Sequence, residues 1–212
     1  MIRSLIARDM RRGSIGTSWL PVAFFLLVVA LMPFAVGPDP RLLGRIGGGI
    51  LWIAALTAAL QPIERLVEPD RADGVLDQLS LHGVAHETVA AAKILAHWLT
   101  FGPLLLIAAV PGAALLAMDG SSLLRAEIAL AIGTPGLAAL AVAIAAVTAG
   151  LPRAGSLAGL LLLPLAVPLL IFGAAAGSHG NSSALMLESA VSLLLTAGAP
   201  FVAGAAFRAA RT

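Results

Sequence analysis

The chain has 212 residues, of which 59% are hydrophobic and only 11% are charged, whereas a soluble domain is about 45–50% apolar and about 25% charged. Its mean hydropathy is +0.99, and a soluble fold of this length could not bury so much apolar surface. The absence of cysteine excludes disulfides and thiolate metal sites, and a net charge of +2 is no nucleic-acid footprint. The chain is therefore predicted to be one all-α membrane domain, residues 1–212.

Residues 1–12 predict a short helix that lies in the membrane interface. Its apolar residues recur on one helical face, with arginines on the other. The alternative is a basic anchor without a defined helix. The apolar run that follows, residues 17–36, is longer than the ~7–15 residues of a signal-peptide core, and we expect it to be retained as the first span.

Six apolar stretches approach or exceed the roughly 20 helical residues that cross a bilayer. They cover residues 17–36, 46–63, 94–117, 126–151, 156–177 and 184–207. The central part of each stretch carries no charged residue, which disfavours a transporter driven by protons or sodium. Their isolated threonine and serine side chains indicate hydrogen bonds between helices.

Arginine and lysine are distributed unevenly over the connections between these stretches. Ten of the 13 lie in the N-terminus, the segment 64–93, the turn after the fourth stretch and the C-terminus, and three lie on the opposite side. Because basic residues are enriched in cytoplasmic connections, we expect a multi-pass protein with both termini in the cytoplasm.

The longest polar segment, residues 64–93, carries six of the eleven acidic residues. Asp73 is predicted to cap a short helix over about 74–81, and Gly83 to end it. A second helix is predicted to start near His86 and to continue into the third span.

The short helix over 74–81 has one apolar face. Its members are Val75, Leu76 and Leu79. This face could dock a soluble partner, or it could pack against the chain's own bundle, and the composition favours neither alternative.

The sequence contains no recognisable motif for nucleotide binding, metal binding or catalysis. It lacks a GxxxxGK[ST] motif and its sole lysine, Lys93, follows three alanines, so any ATP must be hydrolysed by a separate subunit. His82 and His86 have the spacing of two metal ligands on a helix, but Gly83 lies between them and a third ligand is not evident, so no metal site is expected. No catalytic arrangement is evident either, which argues against an enzyme.

Several motifs are unusual in so hydrophobic a chain. They lie at residues 37–46, 52–56, 64–65, 70, 73–74, 76, 78–79, 92–98, 133–135 and 163–172. Together they resemble the CcmB family, the haem exporter protein B family of cytochrome c maturation. The chain departs from the family pattern at Pro69, within the acidic stretch, and over residues 178–212, where little is distinctive and where His179 lies.

The resemblance implies the permease subunit of an ABC-type complex in the bacterial inner membrane. It implies a type-2 ABC exporter layout with an N-terminal interfacial helix, six spans and a cytoplasmic coupling helix. The implied partners are a separate ABC ATPase that binds ATP, a haem-handling membrane protein and a second copy of the chain. Haem is the implied substrate, and no covalently bound cofactor is expected.

Three alternatives stay open at this point. ATP hydrolysis could drive haem export, or the release of a haem-loaded periplasmic chaperone. The chain could instead be a type-2 permease for another substrate such as a lipid or polysaccharide. It could also be a non-transporting scaffold of the maturation complex.

The resemblance also implies site residues. Those expected to couple to the ATPase are Glu64, Arg65, Asp70, Asp73, Gly74, Leu76, Asp77, Gln78 and Leu79. Those expected to face a periplasmic partner are Gly37, Pro38, Asp39, Pro40, Arg41 and Arg45. His97 and Trp98, one turn into the third span, are candidates for a haem contact or for a contact at the membrane interface.

Overall fold

The computed structural model describes residues 2–12, 15–61, 63–179 and 182–209, and in these ranges the chain forms α-helices and no strand. The helices are α1 (Ile2–Arg12), α2 (Ile15–Val36), α3 (Pro40–Leu60), α4 (Ile63–Ala72), α5 (Val75–Leu81), α6 (His86–Leu115), α7 (Gly120–Thr148), α8 (Ala154–His179) and α9 (Ser182–Ala209). Six helical stretches are long and apolar enough to cross a membrane. They correspond to α2, α3 with α4, α6, α7, α8 and α9, which confirms the prediction of an all-helical protein with six spans.

The central helix of the bundle is α7. It contacts α3, α4, α6, α8 and α9, and its most apolar window is 78% buried, against 17% for α2 and 28% for α8 and α9. Small residues make this possible, since alanine dominates the buried run 138–146 and lets neighbouring backbones approach closely. The outer helices expose leucine, isoleucine and phenylalanine side chains, as expected of a surface that faces lipid.

The second span begins earlier than the sequence indicates. Residues 40–45 were expected to lie in a loop, but they form the first turns of α3. Asp39 is the N-cap, its Oδ1 accepts a hydrogen bond from the Arg41 backbone N–H at 2.9 Å, and Pro40 follows at N1. Because proline lacks an N–H and presets φ, it is favoured at this position. Only residues 37–39 connect α2 to α3.

Asp119 caps the start of α7 in the same way. Its carboxylate accepts hydrogen bonds from the Ser122 backbone N–H at 2.9 Å and from the Ser121 hydroxyl at 2.9 Å. These bonds, with those from Ser122 contributing most, lower the pKa of Asp119 to about 2 from its ordinary 3.8. The cap therefore holds its negative charge at the positive end of the α7 dipole.

Three contacts bring distant segments together at one end of the bundle, which we call the coupling face. Lys93 contacts Asp9 of α1, the Gly150 backbone N–H donates to Glu68, and Arg208 at the end of α9 pairs with Glu87. The coupling face thus gathers α1, the segment 64–93, the α7–α8 turn and the end of α9. These are the four basic segments that the charge count predicted to share one side of the membrane, and their described residues lie at the same end of the bundle.

Candidate functional site

The coupling segment at this face consists of α4 and α5. Glu64 lies in the first turn of α4 and Arg71 in its last, where each charge favours the helix dipole. Pro69 does not interrupt the helix, which continues to Ala72. The Asp73 backbone N–H donates to the Pro69 carbonyl at 2.9 Å, so only the hydrogen bond that proline itself cannot donate is lost.

The reversal between α4 and α5 corrects the predicted cap. Gly74, not Asp73, is the N-cap of α5, and it makes no side-chain hydrogen bond. The turn requires a left-handed backbone, φ +70° at Gly74, which glycine adopts without steric cost. Asp73 instead extends the hydrogen bonding of α4 through its N–H.

Gly83 ends α5 as predicted. It has φ +72°, its N–H donates to the Ser80 carbonyl at 2.9 Å, and the Val84 N–H donates to the Leu79 carbonyl at 3.0 Å. This pair of bonds is the Schellman motif, which satisfies the last carbonyls of a helix. The next helix, α6, begins at His86, where the sequence predicted it.

The two faces of α5 differ in their surroundings. Leu76 and Leu79 are half-buried and pack against the hydrophobic core, so the apolar face is used by the chain's own bundle. Asp77 and Gln78 are exposed, and Leu81 exposes 81% of its surface. Sequence reasoning missed Leu81 because it lies off the predicted apolar face, yet it is the large apolar side chain that α5 presents outward.

The remaining predicted coupling residues divide in the same way. Glu64, Arg65 and Asp73 are exposed, and Gly74 is half-buried. Asp70 is buried and therefore cannot touch a soluble partner in this arrangement.

Asp70 belongs to a buried ion network that joins three helices. Lys93 Nζ of α6 lies 2.5 Å from Asp70 Oδ2 of α4 and 3.4 Å from Asp9 Oδ2 of α1. Arg8 Nη2 of α1 lies 3.0 Å from Asp70 Oδ2 and 2.7 Å from Asp9 Oδ1. Lys93 also donates to the Leu66 carbonyl at 3.1 Å. Two acids and two bases thus compensate one another, which buried charges require.

This network fixes the N-terminal helix to the coupling segment. Leu5 and Ile6 of α1 pack against the core, while Ile2 and Met10 stay exposed. The predicted N-terminal helix is present over Ile2–Arg12. Sequence reasoning missed the network because its bonded partners lie up to 84 positions apart, as Asp9 and Lys93 do. The available signal was the sole lysine, placed at the start of an apolar helix where a lone charge is costly.

A second anchor joins α4 to the α7–α8 turn. Glu68 accepts hydrogen bonds from Arg71 at 2.7 Å and from the Gly150 backbone N–H at 2.8 Å. Gly150 has φ +79°. One helical turn before Glu68 on α4, the Glu64 carboxylate occupies the space where Gly155 of α8 lacks a side chain. An open cleft of about 500 Å³ lies between these elements.

The predicted partner-facing residues lie at the opposite end of the bundle. Pro38, Asp39, Pro40, Arg41 and Arg45 are exposed. Gly37 is half-buried with φ +100°. They form an accessible surface around the start of α3, remote along the helices from the coupling face.

His97 and Trp98 point into the bundle. His97 is 6% exposed and its ring centre lies 4.7 Å from that of Phe101. The Trp98 indole N–H donates to Thr134 Oγ1 of α7 at 3.1 Å. Both side chains therefore take part in helix packing. The side chain of His179 lies outside the described part of the chain.

The threonine and serine side chains of the spans were expected to bond between helices, and Thr134 and Ser192 do. Thr134 accepts the bond from Trp98 of α6, and Ser192 Oγ of α9 donates to the Ile132 carbonyl of α7 at 2.6 Å. Four others bond back to their own helix, namely Thr57, Thr100, Thr148 and Thr196.

Glu188 corrects the prediction that no acidic or basic side chain lies in the middle of the membrane domain. The sequence places it near the start of the sixth stretch, but its carboxyl group lies beside Gly133, near the middle of the 29-residue helix α7. It is fully buried. Sequence position alone could not show this, because α9 begins at a deeper level of the bundle than α7.

Comparison with known proteins supports the resemblance over the whole chain. Residues 1–211 match the family described as CcmB protein, including residues 178–211, where the sequence offered little. Heme exporter protein B of Paracoccus denitrificans is 43% identical and that of Rhodobacter capsulatus 42%, each over 98% of both chains. Heme exporter protein B of Escherichia coli K12 is 42% identical over 89% of this chain and 88% of its own. The chain belongs to the CcmB family.

Proposed function

We propose that the chain is the membrane permease subunit of an ABC-type haem exporter that serves c-type cytochrome biogenesis. The observation that carries this proposal is its near full-length similarity to chains named heme exporter protein B. Haem is the transported substrate, and a separate subunit binds and hydrolyses ATP. The same ATP-driven movement could act on haem itself or on release of a haem-loaded chaperone.

In this proposal the ATPase docks on the outward side of the coupling segment. Leu81 enters an apolar pocket of the ATPase, and the exposed Asp77 and Gln78 give polar contacts around it. A few side chains that fill pockets at the centre of an interface carry most of the binding energy, and the contacts around them exclude water. Leu76 and Leu79 act indirectly, by holding α5 on the bundle.

The anchors of α4 then transmit the movement. Because α4 is bound to α1 and α6 through Lys93 and to the α7–α8 turn through Glu68, a force applied to α5 moves these elements together. Asp70 therefore acts as a positioning residue inside the coupling segment rather than as an ATPase contact.

The orientation follows from the charge distribution. The described segments that meet at the coupling face hold nine of the 13 basic residues, so we place this face and both termini in the cytoplasm of a bacterium, with the helices in the inner membrane. The exposed start of α3 then faces the periplasm. There Arg41 and Arg45 can contact the haem-handling membrane protein or the chaperone.

A homodimer completes the proposed complex. The outer surface of α2 is apolar and little buried, which suits either lipid or a second copy of the chain. His97 and Trp98 serve in helix packing in this scheme, since their rings are engaged within one chain.

The test uses a bacterial strain from which the gene for this protein is deleted and which carries a tagged copy of that gene. We expect the wild-type copy to restore haem-stained c-type cytochromes and to co-purify with an ATPase and a haem-handling membrane protein. Leu81→Asp should insert normally and lose the ATPase, whereas Leu124→Asp, an exposed leucine at the opposite end of the bundle, should keep it. Recovery of an ATPase without restored cytochromes would refute haem export and favour another exported substrate.

A further inference from the structure

Glu188 is the most completely enclosed charged residue among the described parts of the chain. Its side chain has 0% exposure. Both carboxyl oxygens are buried and have no hydrogen-bond partner among the described residues. The other buried acid, Asp70, lies in the ion network with Lys93 and Arg8. The two buried acids thus occupy opposite electrostatic environments.

The carboxyl group and the Trp52 indole share a notch at Gly133. A Cβ at Gly133 would lie 2.6 Å from Glu188 Oε1 and 2.2 Å from Trp52 Cη2. Gly173 makes room for the same indole ring, since a Cβ there would lie 2.6 Å from Trp52 Nε1. The notch is therefore shaped around the carboxyl group and the indole edge, and any larger residue at Gly133 would fill it.

The helices that pack against this notch bring no free cation to it. Arg125 of α7 bonds to Ser121 and Ser122 near the start of that helix, and Glu127 beside it adds only negative charge. Arg45 of α3 is exposed, and α8 has no ionisable residue over 154–177. On α6, the adjoining helix, Lys93 is committed to Asp70, and the His97 ring lies against Phe101 of its own helix, tilted by 37°.

An ionised carboxylate is not compatible with these surroundings. Burying one without a cation or hydrogen-bond donors is so costly that the group binds a proton instead, and acids inside membrane domains are typical of proton pathways. The neutral acid, by contrast, has the size and polarity of an amide and fits the same notch.

We propose that Glu188 is a proton-binding site in the middle of the membrane domain, occupied while α7 and α9 pack as described. The packing is sealed by small residues, since a Cβ at Gly136 would lie 3.0 Å from Ser192 Oγ, and Ser192 bonds to the Ile132 carbonyl. Water reaches the carboxyl only when this contact opens, and the proton exchanges at that moment.

Infrared spectroscopy of the purified chain in lipid at neutral pH tests the proposal. We expect the C=O stretching band of a neutral carboxylic acid, absent in Glu188→Gln and retained in the control Glu127→Gln. In D2O the band should shift gradually, because the carboxyl proton exchanges for deuterium only when the α7–α9 contact opens. A band that is missing in the wild type, that persists in Glu188→Gln, or that shifts within the mixing time would overturn the proposal.

A second measurement covers the case in which Glu188→Gln does not insert. A lipid-soluble carbodiimide reacts with neutral carboxylic acids in apolar surroundings, and mass spectrometry of the wild-type chain locates its adduct. An adduct on Glu188 supports the proposal. Adducts confined to Glu64, Glu68 or Glu87, which lie at the coupling face, contradict it.

Discussion

Lys93→Met removes the only lysine of the chain and breaks the ion network that fixes the coupling segment. Lys93 is 6% exposed and Asp70 4%, with their charged atoms 2.5 Å apart. Breaking a buried pair by removing one partner costs about 3–5 kcal/mol. Asp70 keeps Arg8 at 3.0 Å, so the expected loss lies at the lower end, about 3 kcal/mol.

The assay is thermal or denaturant unfolding in detergent micelles, followed by the fluorescence of the three tryptophans. Arg71→Gln on α4, the helix that carries Asp70, is the matched control. Its pair with Glu68 is 39% and 38% exposed, so it should cost less than about 1 kcal/mol.

The double variant with Asp70→Asn separates the ion pair from other effects. If Lys93 and Asp70 interact as described, the double variant should lose less stability than the two single variants together, by about 0.5–3 kcal/mol. Strict additivity, or a Lys93→Met loss no larger than that of Arg71→Gln, would refute the reasoning.

Three further predictions follow. Leu79→Asp should lower the unfolding temperature of the chain because Leu79 packs on the core. Leu81→Asp should leave the unfolding temperature unchanged and reduce only the co-purification of the ATPase. Equal destabilisation by the two variants would contradict the assignment of the two faces of α5. Gly133→Ala should cost about 1–3 kcal/mol in unfolding experiments by overpacking the Trp52 ring, while Gly159→Ala, with open space around it, should not destabilise. The pKa of Asp119 lies below its ordinary value, so its cap stabilises the folded chain above about pH 4, and this stabilisation fades as the pH falls toward 2. If the stability of Asp119→Asn shows the same pH dependence as that of the wild type, the cap is not the source of that dependence.

The architecture of this chain could be predicted from its sequence because lipid removes most alternatives. Backbone N–H and C=O groups in a bilayer must form their hydrogen bonds within the segment, so an apolar run long enough to cross the bilayer forms a helix. The coupling helix was also predictable, since Gly83 carries a local signal that does not depend on the rest of the chain. Its start was predicted less well, because both Asp73 and Gly74 suit a helix start and only the reversal of the chain decides between them.

The site itself was less predictable because long-range pairing decides it. Asp70 looked like the other acids of its segment until Lys93, 23 residues away, was placed beside it. Glu188 lies near the start of the sixth stretch in the sequence, and its depth depends on how far α9 is shifted along α7. In both cases the residue type was visible in the sequence, whereas the environment that gives it a role is a property of the packed helices.

The two buried acids lie at different points of one mechanical unit. The coupling segment is tied to the α7–α8 turn by Glu68 and Gly150, and the notch of Glu188 is formed by Gly133 on the same helix α7. A helix of this length transmits displacement along its axis, except where Pro135 removes a hydrogen bond and permits bending. Glu188 lies beside this weak point. Movement of the coupling face would therefore reach the bundle interior at the place where an enclosed carboxyl group depends on the packing of α7 against α9.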